Sequence, residues 1–475
     1  MQDNQQSDPL LVQLFTEASA HQYQGNLSMA LVAYKRIQRQ FPDFVDAWIN
    51  ASVVLSALDR PEEAMDMAVK AVELLPENPT VLFVLAAIQQ QLGQIEDSKI
   101  IYNKVDKLQE FYVRNGQFVE AIAIIDIFIQ AHPDNSELWG NRGYVKIQAM
   151  DLAGAEDDIT KALKLKKNNA ISRYNLSCVQ FLQHRYHEAW PNYRTRMELP
   201  EWQRIVRDFG KPQWQGEPLD GRTLLVYYEQ GLGDNIQCSR FLLQLKQFGG
   251  CILYLVPKPL QRLLSDIPGV DGLLVEGEPL PEFDFVVPLM ELPPILDVGI
   301  SDLAPLPPPT LPEQQAIPEL ERPGFKVGLV WAGDKIHLNN ALRSMDPHHF
   351  DALADIEGIA WYGLQLPKAT ELPNLPGIID LSHHMNDFLD SAQIIRQLDL
   401  VVTVDTSMAH LAGFLGLPAV VLLAFKPDWR WGATGSHTPW YPSLTLLRQP
   451  THGDWKSVVG ELRILITERI NSGNQ

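Results

Sequence analysis

Pro42 and Pro76 stand 34 residues apart, and Ala30 and Ala64 keep the same interval. A fixed period of this length constrains a chain to stacked supersecondary units, because one unit cannot bury its apolar face without a neighbour. With units starting near Leu11, Val45 and Thr80, the register reads Ala30, Tyr34, Ile37 and Pro42; then Trp48, Ala64, Ala68, Ala71 and Pro76; then Gly93, Ser98 and Tyr102. A further series reads Gly116, Ala121, Ile125, Phe128 and Pro133; then Trp139, Gly143, Ala155, Ile159 and Ala162; then Leu176, Ser177, Tyr186, Ala189 and Tyr193. Small residues fall where paired helices approach closely, and prolines fall where the second helix of a pair must stop. Gly93 and Gly116 are only 23 residues apart, so the third and fourth units overlap. A kink or an over-long helix is expected over residues 95–113, with one unit lacking a full first helix.

Together these residues resemble tetratricopeptide repeats, and the array is predicted over residues 9–200. The resemblance implies an α-helical solenoid whose concave face holds an extended protein or peptide. Dimerising the protein or bracing the rest of the chain is the other role open to it.

Bulk properties narrow the function. A chain of 475 residues exceeds what one hydrophobic core serves, so several domains are expected. Lys and Arg number 39 against 58 Asp and Glu, and the formal charge of −19 repels nucleic acid and anionic membrane surfaces. No apolar run approaches the roughly 18 residues of a membrane span, and Met1–Pro9 has neither a basic nor an apolar signal region. A cytoplasmic location without membrane insertion is the expectation. Cys178, Cys238 and Cys251 lack metal-ligand spacing and read as inert core thiols.

After residue 200 the helical period fades, and a connector at 201–220 leads to alternating strand and helix patterns. In a first half, 221–301, strands are predicted at 223–229, 251–256, 272–275 and 283–288, with a helix after Asp234. Residues 302–324 contain Pro305, Pro307, Pro308, Pro309, Pro312, Pro318 and Pro323 and read as a semi-rigid linker. A second half, 325–475, is predicted to carry strands at 326–331, 359–364, 378–381, 400–404 and 419–423. Helices are expected near 347–354, 387–398 and 407–415. A last helix, 455–470, is expected to pack back across the first half. The fold class is thus α plus α/β.

Three motifs carry the chemistry: Gly231-Leu-Gly-Asp234, Val404-Asp405-Thr-Ser-Met-Ala-His410-Leu-Ala-Gly and Lys426-Pro-Asp-Trp-Arg-Trp431. The first two sit where a strand gives way to a helix, the place at which α/β sheets form ligand crevices. Gly231 and Gly233, with Asn235, would let substrate approach the backbone. Asp234 is either a general base or a helix cap. Thr406, Ser407 and Met408 open a helix whose free N–H groups suit a diphosphate, with Asp405 as cap or ribose ligand. His410, one turn on, is either a phosphate contact or a satisfied structural histidine.

The motifs resemble those of the heptosyltransferase-like family 9 glycosyltransferases, in the subgroup joined to tetratricopeptide repeats. The resemblance implies a GT-B pair of doubly wound halves, a nucleotide-diphosphate sugar as co-substrate, and inversion at the anomeric carbon. It implies Asp234 as base, donor contacts at Asp405, Thr406, Ser407 and His410, and Arg343 as the cation that neutralises the diphosphate. Many relatives carry Gly at the place of Ser407. Gln365 falls where such folds contact the nucleotide, and Lys335 and His337 are further loop groups at the same end. Trp429, Arg430, Trp431, Trp440 and Tyr441 form an aromatic segment suited to sugar stacking or to core packing, with packing favoured for Trp440. No metal is expected: there is no Asp-x-Asp pair, and in His348–His349 and His383–His384 neighbouring side chains of a helix or strand diverge. The acceptor is read as a protein or peptide recruited by the repeats. A surface glycan or lipid-linked saccharide, or a scaffold without catalysis, are the alternatives.

Overall fold

The computed structural model describes residues 8–203, 206–303, 309–313, 316–335, 340–369 and 371–473. The chain divides into two compact units between Val145 and Lys146, and each is taken by itself.

The first unit holds α1 (Pro9–Tyr23), α2 (Leu27–Gln40), α3 (Val45–Ala57), α4 (Pro61–Leu74), α5 (Pro79–Gln91), α6 (Ile95–Arg114), α7 (Phe118–Ala131) and most of α8 (Ser136–Gln148). Ala30, Ala64, Ala68 and Ala71 are buried between paired helices, as the small-residue register requires. Trp48 Nε1 donates to Pro42 O at 2.8 Å, and Trp139 Nε1 donates to Pro133 O at 2.8 Å. The same bond recurs because each tryptophan begins a unit just after the proline that ended the last one. At the crowded point α6 is a single helix of 20 residues. It serves as the second helix of one unit and the first of the next, so the overlap becomes an over-long helix.

The second unit begins with α9 (Leu152–Leu165), α10 (Ala170–Leu182), α11 (Tyr186–Tyr193) and the short α12 (Pro200–Gln203). The first half follows, with β1 (Thr223–Tyr227), α13 (Leu232–Cys238), β2 (Cys251–Val256), β3 (Gly272–Val275), β4 (Phe285–Pro288) and α14 (Leu292–Ile295). The second half contains β5 (Phe325–Val330), α15 (Asn340–Arg343), β6 (Ile359–Gly363), β7 (Ile379–Asp380), α16 (Phe388–Ile395), β8 (Leu400–Val404), α17 (Ser407–Phe414), β9 (Ala419–Leu423), β10 (Leu444–Arg448) and α18 (Trp455–Gly473). Both sheets are parallel, in the orders β3-β2-β1-β4 and β10-β9-β8-β5-β6-β7. The helical repeats and paired α/β halves are therefore both present. Among the described residues no helix is long and apolar enough to cross a membrane.

Several expectations change in detail. β10 is a strand that the pattern did not announce; it pairs with β9 through Leu444↔Ala419. The helix near 347–354 is a 3-10 turn, Pro347–Leu353, and α16 is shorter than predicted. α18 does not cross to the first half. Its stripe of Trp455, Val458, Val459, Leu462 and Ile466 joins Val327, Val402 and Val420 of the six-stranded sheet and Phe350 of the 3-10 turn. Arg463 fixes it there by donating to Ala352 O at 2.7 Å and pairing with Asp355.

The compact units also divide well before the end of the repeat pattern. α10 and α11 pack into the α/β core: Phe181 stacks on Trp429 with ring centroids 4.2 Å apart, and Trp440 Nε1 donates to Tyr186 OH at 2.8 Å. Beneath them lies an ionic knot. Arg196 is fully buried and donates to both oxygens of Glu229 at 3.0 Å and to Glu291 at 2.7 Å, while Arg194 reaches the other oxygen of Glu291 at 2.7 Å. Removing one member of a buried pair strands the others without a counter-charge. Arg196→Ala should therefore cost about 3–5 kcal/mol in chemical denaturation of the full chain. Arg194→Ala, at a half-exposed position, should cost clearly less, and equal losses would contradict this ranking.

Candidate functional site

In each sheet the chain order reverses beside the first strand of the half, so the carboxyl ends of β1 and β4, and of β5 and β8, flank the natural crevices. The two crevices are furnished very differently.

At the β1/β4 crevice the protein supplies its own charges. Glu229 and Glu291 leave the ends of β1 and β4 and are both taken by Arg196. Gln230 has a left-handed backbone, φ 63°, unusual for a residue with a side chain, and its Nε2 donates to Tyr193 OH at 2.7 Å. Asp234 then closes the turn: its Oδ2 accepts the Gly231 N–H at 2.8 Å, one arm of a capping box, and its Oδ1 pairs with Arg430. Its side chain stays 17% exposed. Burial raises the Asp234 carboxyl above its ordinary value, while Arg430 pulls it back.

Asn235 and Gly233 do other work than admit substrate. Asn235 is wholly buried; its Nδ2 donates to Glu229 O at 3.1 Å and Gly231 O at 2.7 Å, and its Oδ1 accepts from Tyr254 OH at 3.1 Å. Gly233 is the crossing point of α13 and α17, where an added Cβ would come within 2.5 Å of the His410 ring.

The β5/β8 crevice is lined by groups with capacity to spare. Arg343, at the end of α15, lies across Gly333, where an added Cβ would meet the guanidinium at 2.7 Å. Its Nε is buried without a hydrogen-bond partner, and it forms no ion pair among the described residues. Its charge acts on Asp405 at the end of β8. Burial first, and then the negative charge of Asp428, push the Asp405 carboxyl up to about 6, with Arg343 opposing them.

The remaining predicted residues are placed as follows. Thr406 is the N-cap of α17: its Oγ1 accepts from Met408 N at 3.2 Å and lies 2.9 Å from Thr403 Oγ1. Ser407 is partly exposed at the start of α17, whereas Met408 is buried in the core. His410 is buried, and its Nδ1 lies 3.0 Å from Tyr441 OH. Burial, and then Arg430, hold its imidazole down at about 3, so it brings no positive charge to a phosphate. Gln365 uses its amide on the backbone: Oε1 accepts from Trp331 N at 3.0 Å and Ala332 N at 2.9 Å, and Nε2 donates to Ala332 O at 2.9 Å and Leu366 O at 2.8 Å. It braces the loop after β5. Lys335 is exposed, and His337 lies outside the described residues. Trp431 and Trp440 are buried, Trp431 packing over His410 with centroids 5.3 Å apart, so the aromatic segment is core.

Sequence reasoning quoted the Lys426–Trp431 motif but assigned no ionic role to its three charged residues. Arg430 is buried and donates to Gln237 Oε1 at 2.8 Å and Asp428 Oδ1 at 2.8 Å besides pairing with Asp234. Asp428 is held below its ordinary value, since Arg430 and Lys426 outweigh its burial. Lys426 is only partly buried and forms no ion pair among the described residues. All three lie in the Lys426–Trp431 motif, where charge alternates with aromatics; that pattern was the available signal.

The Tetratricopeptide repeat family model matches residues 15–89. Protein FlbA of Caulobacter vibrioides is 22% identical over 495 aligned positions, which span 92% of this chain and 74% of its own. Among solved structures, the glycosyl transferase family 9 protein from Veillonella parvula is 12% identical, covering 54% of this chain and 99% of its own with a TM-score of 0.38. YrrB, described as a tetratricopeptide-repeat protein with an unusual peptide-binding site, is 14% identical, covering 36% of this chain and 93% of its own with a TM-score of 0.20.

Asp405 yields a pH test. Because its folded value is raised from 3.8 to about 6, the folded state binds the proton more tightly than the unfolded chain. Its burden on stability is complete above about pH 6 and vanishes below about pH 4. Asp405→Asn should melt at a higher temperature than the parent at pH 7, with the gap closing as the pH falls to 4. A gap that ignores pH would remove Asp405 from this account.

Proposed function

We propose that this chain is a cytoplasmic glycosyltransferase that takes a sugar from a nucleotide-diphosphate donor and transfers it with inversion to an acceptor hydroxyl. The observation that carries this reading is Arg343: a guanidinium with no carboxylate ion pair among the described residues, lying on Gly333 after β5, its charge acting on Asp405 just before α17. Such a fork suits two phosphate oxygens, and the first N–H groups of α17 add dipole and donors. Lys426 supplies a second cation at the same end of the sheet. No resident metal or cofactor is needed for this step, because the cations neutralise the charge that grows on the departing diphosphate.

In the proposed step the acceptor oxygen attacks the anomeric carbon, the nucleoside diphosphate leaves with the bonding pair, and Asp234 takes the hydroxyl proton. The raised carboxyl of Asp234 helps it as a base, and Arg430 keeps it aimed. The repeats would recruit the acceptor, most simply an extended protein or peptide.

A second reading has its own support. Asp234 is tied to both the Gly231 N–H and Arg430, as a purely structural latch would be, which suits a donor-binding scaffold without turnover. Calorimetry and a turnover assay with a panel of nucleotide sugars separate the two. Arg343→Ala should weaken nucleoside-diphosphate binding by about 10- to 100-fold, the worth of a charge-assisted pair. Asp234→Asn should leave that affinity nearly intact and lower turnover by about 10²-fold or more. Unchanged affinity in the first variant discards the donor site; unchanged turnover in the second leaves Asp234 as a latch.

A further inference from the structure

Glu319, His383 and His384 bring three ligand-type side chains together, each with a donor atom within 4.8 Å of the others. They come from separate segments. Glu319 belongs to the 3-10 turn Pro318–Glu321 at the end of the Pro-rich connector, and the histidines belong to the 3-10 turn Ser382–His384 after β7. Adjacent side chains diverge on an α-helix or a strand, but in this turn the two imidazoles lie against each other, with centroids 4.0 Å apart. Both turn toward one oxygen: Nε2 of His384 is 3.3 Å and Nε2 of His383 is 3.9 Å from Glu319 Oε1.

These separations suit an ion. Ligands at about 2.0–2.1 Å around a tetrahedral zinc stand roughly 3.3 Å from one another. The other carboxylate oxygen, Glu319 Oε2, is buried and has no hydrogen-bond donor, so the carboxylate carries unsatisfied accepting capacity. The site is also held in place without an ion, since Leu320 is buried beneath the turn and Tyr362 OH donates to Glu319 O at 3.0 Å. Two imidazoles and a carboxylate favour zinc and its neighbours over magnesium or calcium, which prefer oxygen alone.

We propose that His383, His384 and Glu319 form a site for a divalent transition-metal ion of the zinc type, with a fourth position left to water. The ion would staple the end of the connector to the edge of the six-stranded sheet. None of its three residues is used in the proposed transfer, and the metal site does not depend on that reading. The expectation of no metal, drawn from adjacent histidines on regular structure, does not apply to a 3-10 turn.

The test is calorimetric titration of the tag-free, chelator-treated full chain with ZnCl₂ and, as control, MgCl₂. One zinc per chain with a Kd in the micromolar range or tighter is expected, and no magnesium binding. His383→Ala/His384→Ala should weaken zinc binding at least about 100-fold, and Glu319→Gln about 10-fold or more. Cobalt added to the parent chain should show the visible absorption of a low-coordinate ion, a readout that does not rely on any variant folding. Absence of zinc uptake by the parent, uptake unaltered in the double variant, or a purely octahedral cobalt spectrum would each overturn the assignment.

Discussion

A guanidinium removed from water is tolerable only when its charge is answered, and Arg430 has its counter-charges in both α/β halves. Asp234 and Gln237 reach it from the first half, Asp428 from its own segment, and its plane lies 4.4 Å over the Trp429 ring. These contacts join α13 of the first half to the segment that follows β9 in the second. They also sort three neighbouring carboxylates. Asp234 and Asp428 share the cation, whereas at Asp405 burial and the charge of Asp428 outweigh Arg343 and push the carboxyl up to about 6. Ion pairs of this kind contribute specificity of arrangement more than net stability, since desolvation consumes much of the Coulomb gain.

A second buried guanidinium, Arg196, makes the last repeat part of the site. The turn that presents Asp234 contains Gln230 at φ 63°, a conformation that persists only when its surroundings over-determine it. They do: Arg196 grips Glu229, Tyr193 holds Gln230, and Asp234 binds the Gly231 N–H. Tyr193 and Arg196 both come from the end of the repeat sequence. A displacement of α11 would therefore be felt at the turn carrying Asp234, and under the proposed function this is how the end of the repeat sequence would reach the transfer chemistry.

What could be read from the sequence was what depends on local pattern. β2, β8 and β9 fall on their predicted residues because buried apolar runs bounded by Gly, Pro or Asp admit few other structures. The spacing of Gly93 and Gly116 left a kink or an over-long helix open, and α6 is the over-long helix. Partnerships across long separations left no trace: Arg430 meets Gln237 across 193 positions and Arg196 meets Glu291 across 95. The same blindness hid the face that α18 covers, and the division of compact units between Val145 and Lys146, which rests on aromatic packing of α10 and α11 with the Trp429–Trp440 region. Local errors arose where the backbone left the two standard periods, as at His383 and His384 in their 3-10 turn.

The alternatives posed for Asp234, cap or base, are not exclusive once its two oxygens are considered separately. Oδ2 is committed to the Gly231 N–H and fixes the carboxylate plane, while Oδ1 meets Arg430 and the side chain still keeps contact with solvent. A base needs both: an orientation set before the substrate arrives, and a proton affinity high enough to take a proton in the transition state. Burial supplies the affinity and the cap supplies the orientation. Arg430 limits the affinity, because protonating Asp234 forfeits part of their attraction. That loss is smallest when Arg430 can lean on Asp428, which already shares it at 2.8 Å. In the proposed transfer the Asp428–Arg430–Asp234 line would therefore act as one unit, the carboxylate kept ionised letting the other one change its charge.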